Sequence, residues 1–432
     1  MQFLRRRSNT RKAGIALILV TVLGGVSAYG QTDKVKWIEK NPNFKIDPFM
    51  MVQLWGVQTF DMRADLDGDG TFEEVDNRFN THLRRARLGF RANPYPWLKF
   101  TLVTFYDGLG KDQLGASLGP SEIHDVRFGI WDGFFQAKVS QNESLIVTGG
   151  YFRPQLGRES ITSGFATTSG EKAMQQNYIR RHLTGIGPGR APGLNVGGLL
   201  FNDTEGFQIN YNVGIFNPVV TTDLPGGQNS LGTRASALFV GRTVFNFGDP
   251  EMSKYKIGYK TNYYNERYGL SVGLGGSYQG ATGLFDLSTA LSVDFLLNWG
   301  PLNFDGDWHF LNREGDNGAG GTNSYGANTG HLRASYNILV DGKILEPVVM
   351  WMQYNGPEGD TEQAEARAVS SFSGSNDTYN IGFNFYQNTH RLKWIAHYVI
   401  QEGTPGGNQW SGQQGLSIQR GNYFLLGLNA IF

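Results

Sequence analysis

Along most of the chain, apolar and polar residues alternate one for one, in segments of about ten residues. Phe207, Ile209, Tyr211, Val213 and Ile215 interleave with Gln208, Asn210, Asn212 and Gly214. Leu287, Thr289, Leu291, Val293, Phe295, Leu297 and Trp299 interleave with Asp286, Ser288, Ala290, Ser292, Asp294, Leu296 and Asn298. The same pattern sets Leu302, Phe304, Gly306, Trp308 and Phe310 against Asn303, Asp305, Asp307 and His309, and Tyr379, Ile381, Phe383 and Phe385 against Asn380, Gly382, Asn384 and Tyr386. A period of two predicts strands with one apolar and one polar face. Sixteen are read: 49–60, 81–92, 97–107, 126–139, 144–153, 191–202, 206–216, 234–247, 268–279, 286–299, 302–312, 329–340, 343–354, 376–388, 391–402 and 421–432.

The connections distinguish a barrel from a soluble sandwich. Short links such as 93–96, 141–143, 203–205, Asp341-Gly342 and Thr389-His390 alternate with long, Gly- and Asn-rich ones such as 313–328 and 403–420. Tight turns on one side and long loops on the other are the asymmetry of a transmembrane antiparallel β-barrel. The expected class is therefore all-β, a sixteen-stranded barrel over 49–432. Residues 248–267 occupy a short-turn position yet contain the strand-like stretch 255–264, so an extra hairpin and eighteen strands stay open. On the last strand Phe424, Leu426, Leu428, Ala430 and Phe432 share one face. An aromatic end of this kind resembles the signal that outer-membrane assembly machinery reads. Tyr95, Trp97, Phe247, Trp299, Tyr386 and Trp394 lie near strand ends, where an inner aromatic girdle is expected.

Composition sharpens this picture. The 432 residues include 59 glycines and no cysteine, which excludes disulfides, thiolate metal sites and thiol nucleophiles. Arg5, Arg6, Arg7, Arg11 and Lys12 precede the apolar run 13–23 and the small residues 24–30, the layout of a secretory signal peptide over 1–30, with cleavage after Ala28 or Gly30. Residues 31–48 would form a periplasmic N-terminal segment. The whole chain balances 38 basic against 38 acidic residues; loss of the five leading cations leaves 38 − 5 = 33 against 38, a charge of −5. Nothing here favours nucleic acid. No other run approaches the roughly 18 apolar residues of a spanning helix.

Chemistry is expected on the polar faces. In the stretch THLRRARLGFR (81–91), placing Ala86, Leu88 and Phe90 toward lipid projects Arg85, Arg87 and Arg91 inward. Arginine on the lipid face would cost about 2–4 kcal/mol. Lys99, and with less clear parity Lys138, join them from neighbouring strands. Guanidinium groups stay charged and present several fixed donors, which suits handing an oxyanion along a wall. Pairing of these arginines with Asp107 and Asp132 is the plainer alternative. The longest loop, 154–190 between strands five and six, is expected to fold inward and narrow the pore. It carries Arg158, Lys172, Arg180, Arg181 and Arg190 against Glu159 and Glu171, with Ser160, Thr162, Ser163, Thr167, Thr168 and Ser169 as hydroxyl donors. Arg153 stands just ahead of it. Asp294, Asp305 and Asp307 point inward opposite Arg242, Arg333 and Lys393, so a field across the pore is expected, as in a general-diffusion channel.

Asp65, Asp67, Asp69, Gly70, Thr71, Glu73 and Asp76 fit the spacing of a calcium loop, with Asp at the twelfth position; an acidic outer loop turned by two Asp-Gly pairs is the alternative. No catalytic motif for acyl transfer, phosphate binding, metalloprotease chemistry or dinucleotides occurs, so no catalytic residue and no required cofactor is expected.

Four stretches carry a resemblance: RRARLGF (84–90), GGYFRPQLGRE (149–159), YNVGIFNP (211–218) and Gly241-Arg242. In them the chain resembles the phosphate-selective porin O and P family. That resemblance implies a sixteen-stranded homotrimer in the bacterial outer membrane whose inward third loop and lumen arginines and lysines select phosphate or polyphosphate. Arg84, Arg85 and Arg87 match the family's arginine motif, and Arg153 takes the place usually held by a lysine. Alternatives are a general-diffusion porin without a phosphate site, or a barrel used as an adhesin or hydrolase.

Overall fold

A computed structural model gives the structure of residues 40–432, apart from 66–70, 113, 115–126, 174, 186–188, 220–221, 225–227, 231, 317–320, 404–408, 412–416 and 420. Sixteen long strands form one sheet: β1 (Ile46–Phe60), β2 (Phe79–Tyr95), β3 (Leu98–Asp107), β4 (Arg127–Lys138), β5 (Ile146–Phe152), β6 (Ala191–Leu200), β7 (Phe207–Phe216), β8 (Leu238–Gly248), β9 (Tyr268–Gln279), β10 (Leu287–Trp299), β11 (Leu302–Asp316), β12 (Thr322–Tyr336), β13 (Lys343–Asn355), β14 (Ser375–Asn388), β15 (Leu392–Gly403) and β16 (Asn422–Ile431). Each pairs antiparallel with its sequence neighbours, and β1 pairs with β16 from Met51↔Ile431 to Phe60↔Asn422. The barrel is closed. Closure leaves no strand edge unpaired, which is what permits a sheet to stand in lipid.

The alternation sorts as its chemistry requires. Leu291, Val293 and Phe310 are exposed on the outside, while Ser292, Asp294, Asp307 and His309 are buried inside. Tyr95 stacks with Trp97, and Tyr268 meets Trp299 edge to face, at the side where the short turns lie. Tyr386 departs from the expected girdle: it is buried inside, donating to the Glu346 carboxylate at 2.6 Å. Between β12 and β13, Ile338–Val340 continues the pairing with β13 into a turn at Asp341 (φ 49°) and Gly342 (φ 73°). Two successive left-handed residues make a tight hairpin turn, and Asp-Gly is the pair that tolerates it.

Residues 249–267 are not a hairpin, and the strand number is sixteen. This inward turn, between β8 and β9, enters the barrel from the short-turn side. Tyr255 and Tyr259 are buried within it, and Tyr255 accepts from Asn195 Nδ2 at 3.1 Å and donates to Asn212. Asn262 bonds Asn337 and Glu346, each at 2.8 Å. The apolar stretch that resembled strands is instead the packed side of a plug.

Candidate functional site: a cationic lumen

The chain between β5 and β6 carries two helices, α1 (Arg158–Ile161) and α2 (Gln175–Thr184), and crosses the interior of the barrel. Glu171 takes Arg84 at 3.0 Å and Arg85 at 2.6 Å from β2. On the opposite wall Arg333 of β12 donates to Glu159 at 3.0 Å and to Ser169 Oγ at 2.8 Å. Gln175 donates to Asp307 of β11 at 2.7 Å, and Lys393 of β15 donates to the Thr167 carbonyl at 2.8 Å. The two arginines outweigh burial and hold the Glu171 carboxyl at about 2, below the usual carboxylate range.

The inward turn locks this loop from the other side. Glu251 forms a forked pair with Arg158 at 2.5 and 2.9 Å, and accepts from the Tyr263 hydroxyl at 3.2 Å. Thr162 and Tyr259 form a parallel bridge, and Thr261 N donates to Ala166 O at 3.2 Å. Burial alone would raise Glu251; Arg158 and Arg267 bring it down to about 2.

The acidic residues of β10 and β11 anchor these plugs and do not form an open negative wall. Asp294 is shared by Arg242 at 2.7 Å and Arg158 at 3.3 Å. Asp305 takes Arg333 at 2.7 Å, and Asp307 takes His331 at 2.8 Å. Each of these three acids is thus paired with a cation or a histidine, and the bare acidic wall expected from sequence is not formed.

Three cations are placed differently. Arg153 donates to the carbonyls of Ser160 and Thr162, both at 3.0 Å. Lys172 reaches the same two oxygens at 3.2 and 2.7 Å, and Arg180 reaches Ser160 O at 3.0 Å. Lys172 and Arg180 are buried, and Arg180 Nε has no hydrogen-bond partner. Among the described residues no carboxylate forms an ion pair with any of the three. Carbonyl dipoles satisfy donors without cancelling charge, so buried positive charge is left in excess. Burial, and then Arg180 and Arg153, push the Lys172 ammonium well below its ordinary value.

Nearby, Arg87 and Arg190 lie on the Trp131 ring at 4.0 and 3.7 Å. Arg87 is tied to Asp107 and Arg190 to Asp132 at 3.0 Å, so the arginine–carboxylate alternative holds for these two. A cavity of about 310 Å³ separates the β1–β4 wall from the loop and the inward turn. Arg91, Lys99, Arg153, Ser163 and Lys256 line it. Lys138 sits at the short-turn rim, bound to Glu143 at 2.5 Å, and Arg181 lies 5.3 Å over Phe372. Neither reaches the cluster. Ser160 contributes its carbonyl and not its hydroxyl.

Sequence parity missed Arg84. Gln53 pairs with Arg85 and Leu54 with Leu83, so Arg84 is a bulge residue and turns inward beside Arg85. Its signal was the cost of an arginine facing lipid. A second bulge admits Trp131 in the same way, between the Val103↔Asp132 and Thr104↔Ile130 pairs. Of the calcium-loop residues, Asp67 and Asp69 lie outside the described residues; Asp65 is buried, and Glu73 and Asp76 are exposed beside the small pairing of Arg63–Asp65 with Glu73–Glu74.

Neither any protein-family model nor any curated protein matches the sequence. Solved structures do match the fold. The anion-selective porin from Comamonas acidovorans superposes with a TM-score of 0.55 at 14% identity, covering 90% of this chain and 100% of that one. OprB of Pseudomonas putida gives 0.54 at 13% over 90% and 94%, and OmpF of Salmonella typhi, in complex with daunomycin, gives 0.51 at 12% over 91% and 100%. The fold is that of an outer-membrane porin. An apolar outer belt on a closed barrel of this class places the chain in the bacterial outer membrane.

Proposed function

We propose that the protein is a passive diffusion porin for small anions, with phosphate-like oxyanions as its preferred solutes. One observation carries the reading: Arg153, Lys172 and Arg180 converge on two carbonyl oxygens, and among the described residues no carboxylate forms an ion pair with them. An oxyanion supplies what is missing, several acceptor oxygens and a negative charge, and Arg153 opens onto the cavity through which it would arrive. Selectivity in a pore follows the charges at its narrowest point. The resemblance to the phosphate-selective family in the 84–90 and 149–159 stretches supports the same solute class. The adhesin and hydrolase readings find no supporting geometry among the described residues.

A general-diffusion pore is the second reading, favoured by the carboxylates that close Arg84, Arg85, Arg87, Arg158 and Arg333. Planar-bilayer recording in a KCl gradient separates the two. Anion-selective current blocked by phosphate, with the block weakened by about tenfold or more in Arg180→Gln, is the expected result, since one charge-assisted bond contributes about 1.5–3 kcal/mol. Current indifferent to phosphate would leave the general pore.

The same proposal includes a homotrimer and recognition of the strand ending in Phe432 by assembly machinery. An apolar outer groove lined by Ile46, Phe90, Phe100, Leu102 and Phe135 supports the trimer, since it offers apolar surface for a neighbouring barrel to cover. Cross-linking of the refolded protein to a three-chain limit tests it.

A further inference from the structure

The cavity beside the loop differs in chemistry from the buried cluster. Arg91, Lys99 and Lys256 are exposed to its water, with Arg153 at its deep end. Lys99 feels both Arg91 and Lys256 as neighbouring positive charges. Among the described residues its one lining carboxylate, Asp132, is taken up by Arg190 at 3.0 Å. Beside the polar Thr101, Gln136, Gln155 and Ser163, an apolar part of its lining comes from Phe49, Met51 and Val103 on the strands, Phe134 beside them, and Ile161 and Ile257 from the loop and the inward turn. The volume, about 310 Å³, lies at the lower end of small-molecule sites, about 300–1,000 Å³.

A hydrated inorganic oxyanion gains nothing from that apolar wall. We propose that the cavity is a binding site for organic carboxylates with a compact apolar body, of the aromatic monocarboxylate type: the carboxylate meets Lys99, Arg91 and Lys256, and the body lies against Phe134, Ile161 and Ile257. Two features support this assignment over a simple charged funnel. Cations and apolar side chains line the same cavity, so a single small molecule touches both. Arg91 lies 4.0 Å over the Phe49 ring, which holds its charge beside an aromatic surface. The site faces the short-turn side, because the ends of β1–β4 and the inward turn build it.

The inference goes beyond oxyanion passage but rests on the barrel conducting anions, and the two fail separately. Acetate, butyrate and benzoate carry equal charge and differ in apolar area, while benzyl alcohol keeps the ring without the charge. Each is titrated calorimetrically into the detergent-solubilised full barrel, and in parallel into a bilayer carrying a KCl current. Benzoate should bind at least about tenfold more tightly than acetate, with butyrate between, because affinity follows buried apolar area. Benzyl alcohol should bind negligibly. Lys256→Gln, an exposed residue on the turn, and Lys99→Gln should each weaken benzoate binding about tenfold and leave the benzoate-to-acetate ratio unchanged. Equal binding of acetate and benzoate, or benzoate binding untouched by both variants, overturns the site. Calorimetric binding with a cation-selective current would overturn the channel reading alone.

Discussion

Lys172 is the residue at which burial and function meet most directly. Its ammonium is buried, has Glu159 as a nearby counter-charge, bonds among the described residues to the carbonyls of Ser160 and Thr162, and is crowded by Arg180 and Arg153. Those neighbours cannot release a proton at any accessible pH, so Lys172 is the member that titrates. Its value is depressed, so the charge is present at low pH and is lost as pH rises through a point well below the ordinary lysine range. Anion selectivity should therefore step down on the alkaline side, at a pH where an ordinary lysine would still be charged. A bound oxyanion favours the charged form and should move the step upward. Reversal potentials recorded in a KCl gradient across a pH series, with and without phosphate, check both shifts; Lys172→Met should abolish the step, and a step that survives it would assign the titration elsewhere.

At the scale of elements, the strands and their faces were legible in sequence because each needs only its own alternation and a lipid or aqueous side to point to. Asp294, Asp305 and Asp307 were placed inward correctly, as were Arg85 and Arg87. What those groups bind was not legible, because the partners come from the loop and the inward turn over long sequence separations. Arg84 and Trp131 escaped for a different reason: a bulge shifts parity by one residue, and the pattern of two carries no mark of where the extra residue sits. In sequence the 248–267 segment leaves a hairpin open, because its aromatic residues pack against the loop and wall as they would in a strand. The Glu251–Arg158 pair suggests what this turn does for the channel. Replacing 250–266 by a two-residue Asp-Gly turn removes Glu251, Tyr255 and Tyr259 from the lumen and leaves Arg158 its pair with Asp294. Single-channel conductance should rise about twofold or more, because resistance falls as the obstructed cross-section opens. An unchanged conductance in a correctly folded variant would show that the path bypasses the turn.

The whole molecule is held at one seam, where the first strand meets the last. Phe432 N and O exchange bonds with Met50 at 2.9 and 3.2 Å, and Trp55, Val57, Ile395, Val399, Tyr423 and Leu425 form an apolar cluster on β1, β15 and β16. Deleting Ile431 and Phe432 should therefore lower the temperature at which the refolded barrel loses its compact band in detergent gels, by several degrees at least. A truncated barrel of unchanged heat resistance would place the closing stability elsewhere along β1 and β16. The plug adds a constraint of a different kind. Glu159 bonds Arg333 at a separation of 174 residues, and Thr167 bonds Lys393 at 226. Contacts that distant in sequence form late, since the intervening chain must first be brought together. The loop's cations and carboxylates have no wall to bind until β2, β12 and β15 stand around it, so the gate takes its shape from the doorway and not from its own contacts.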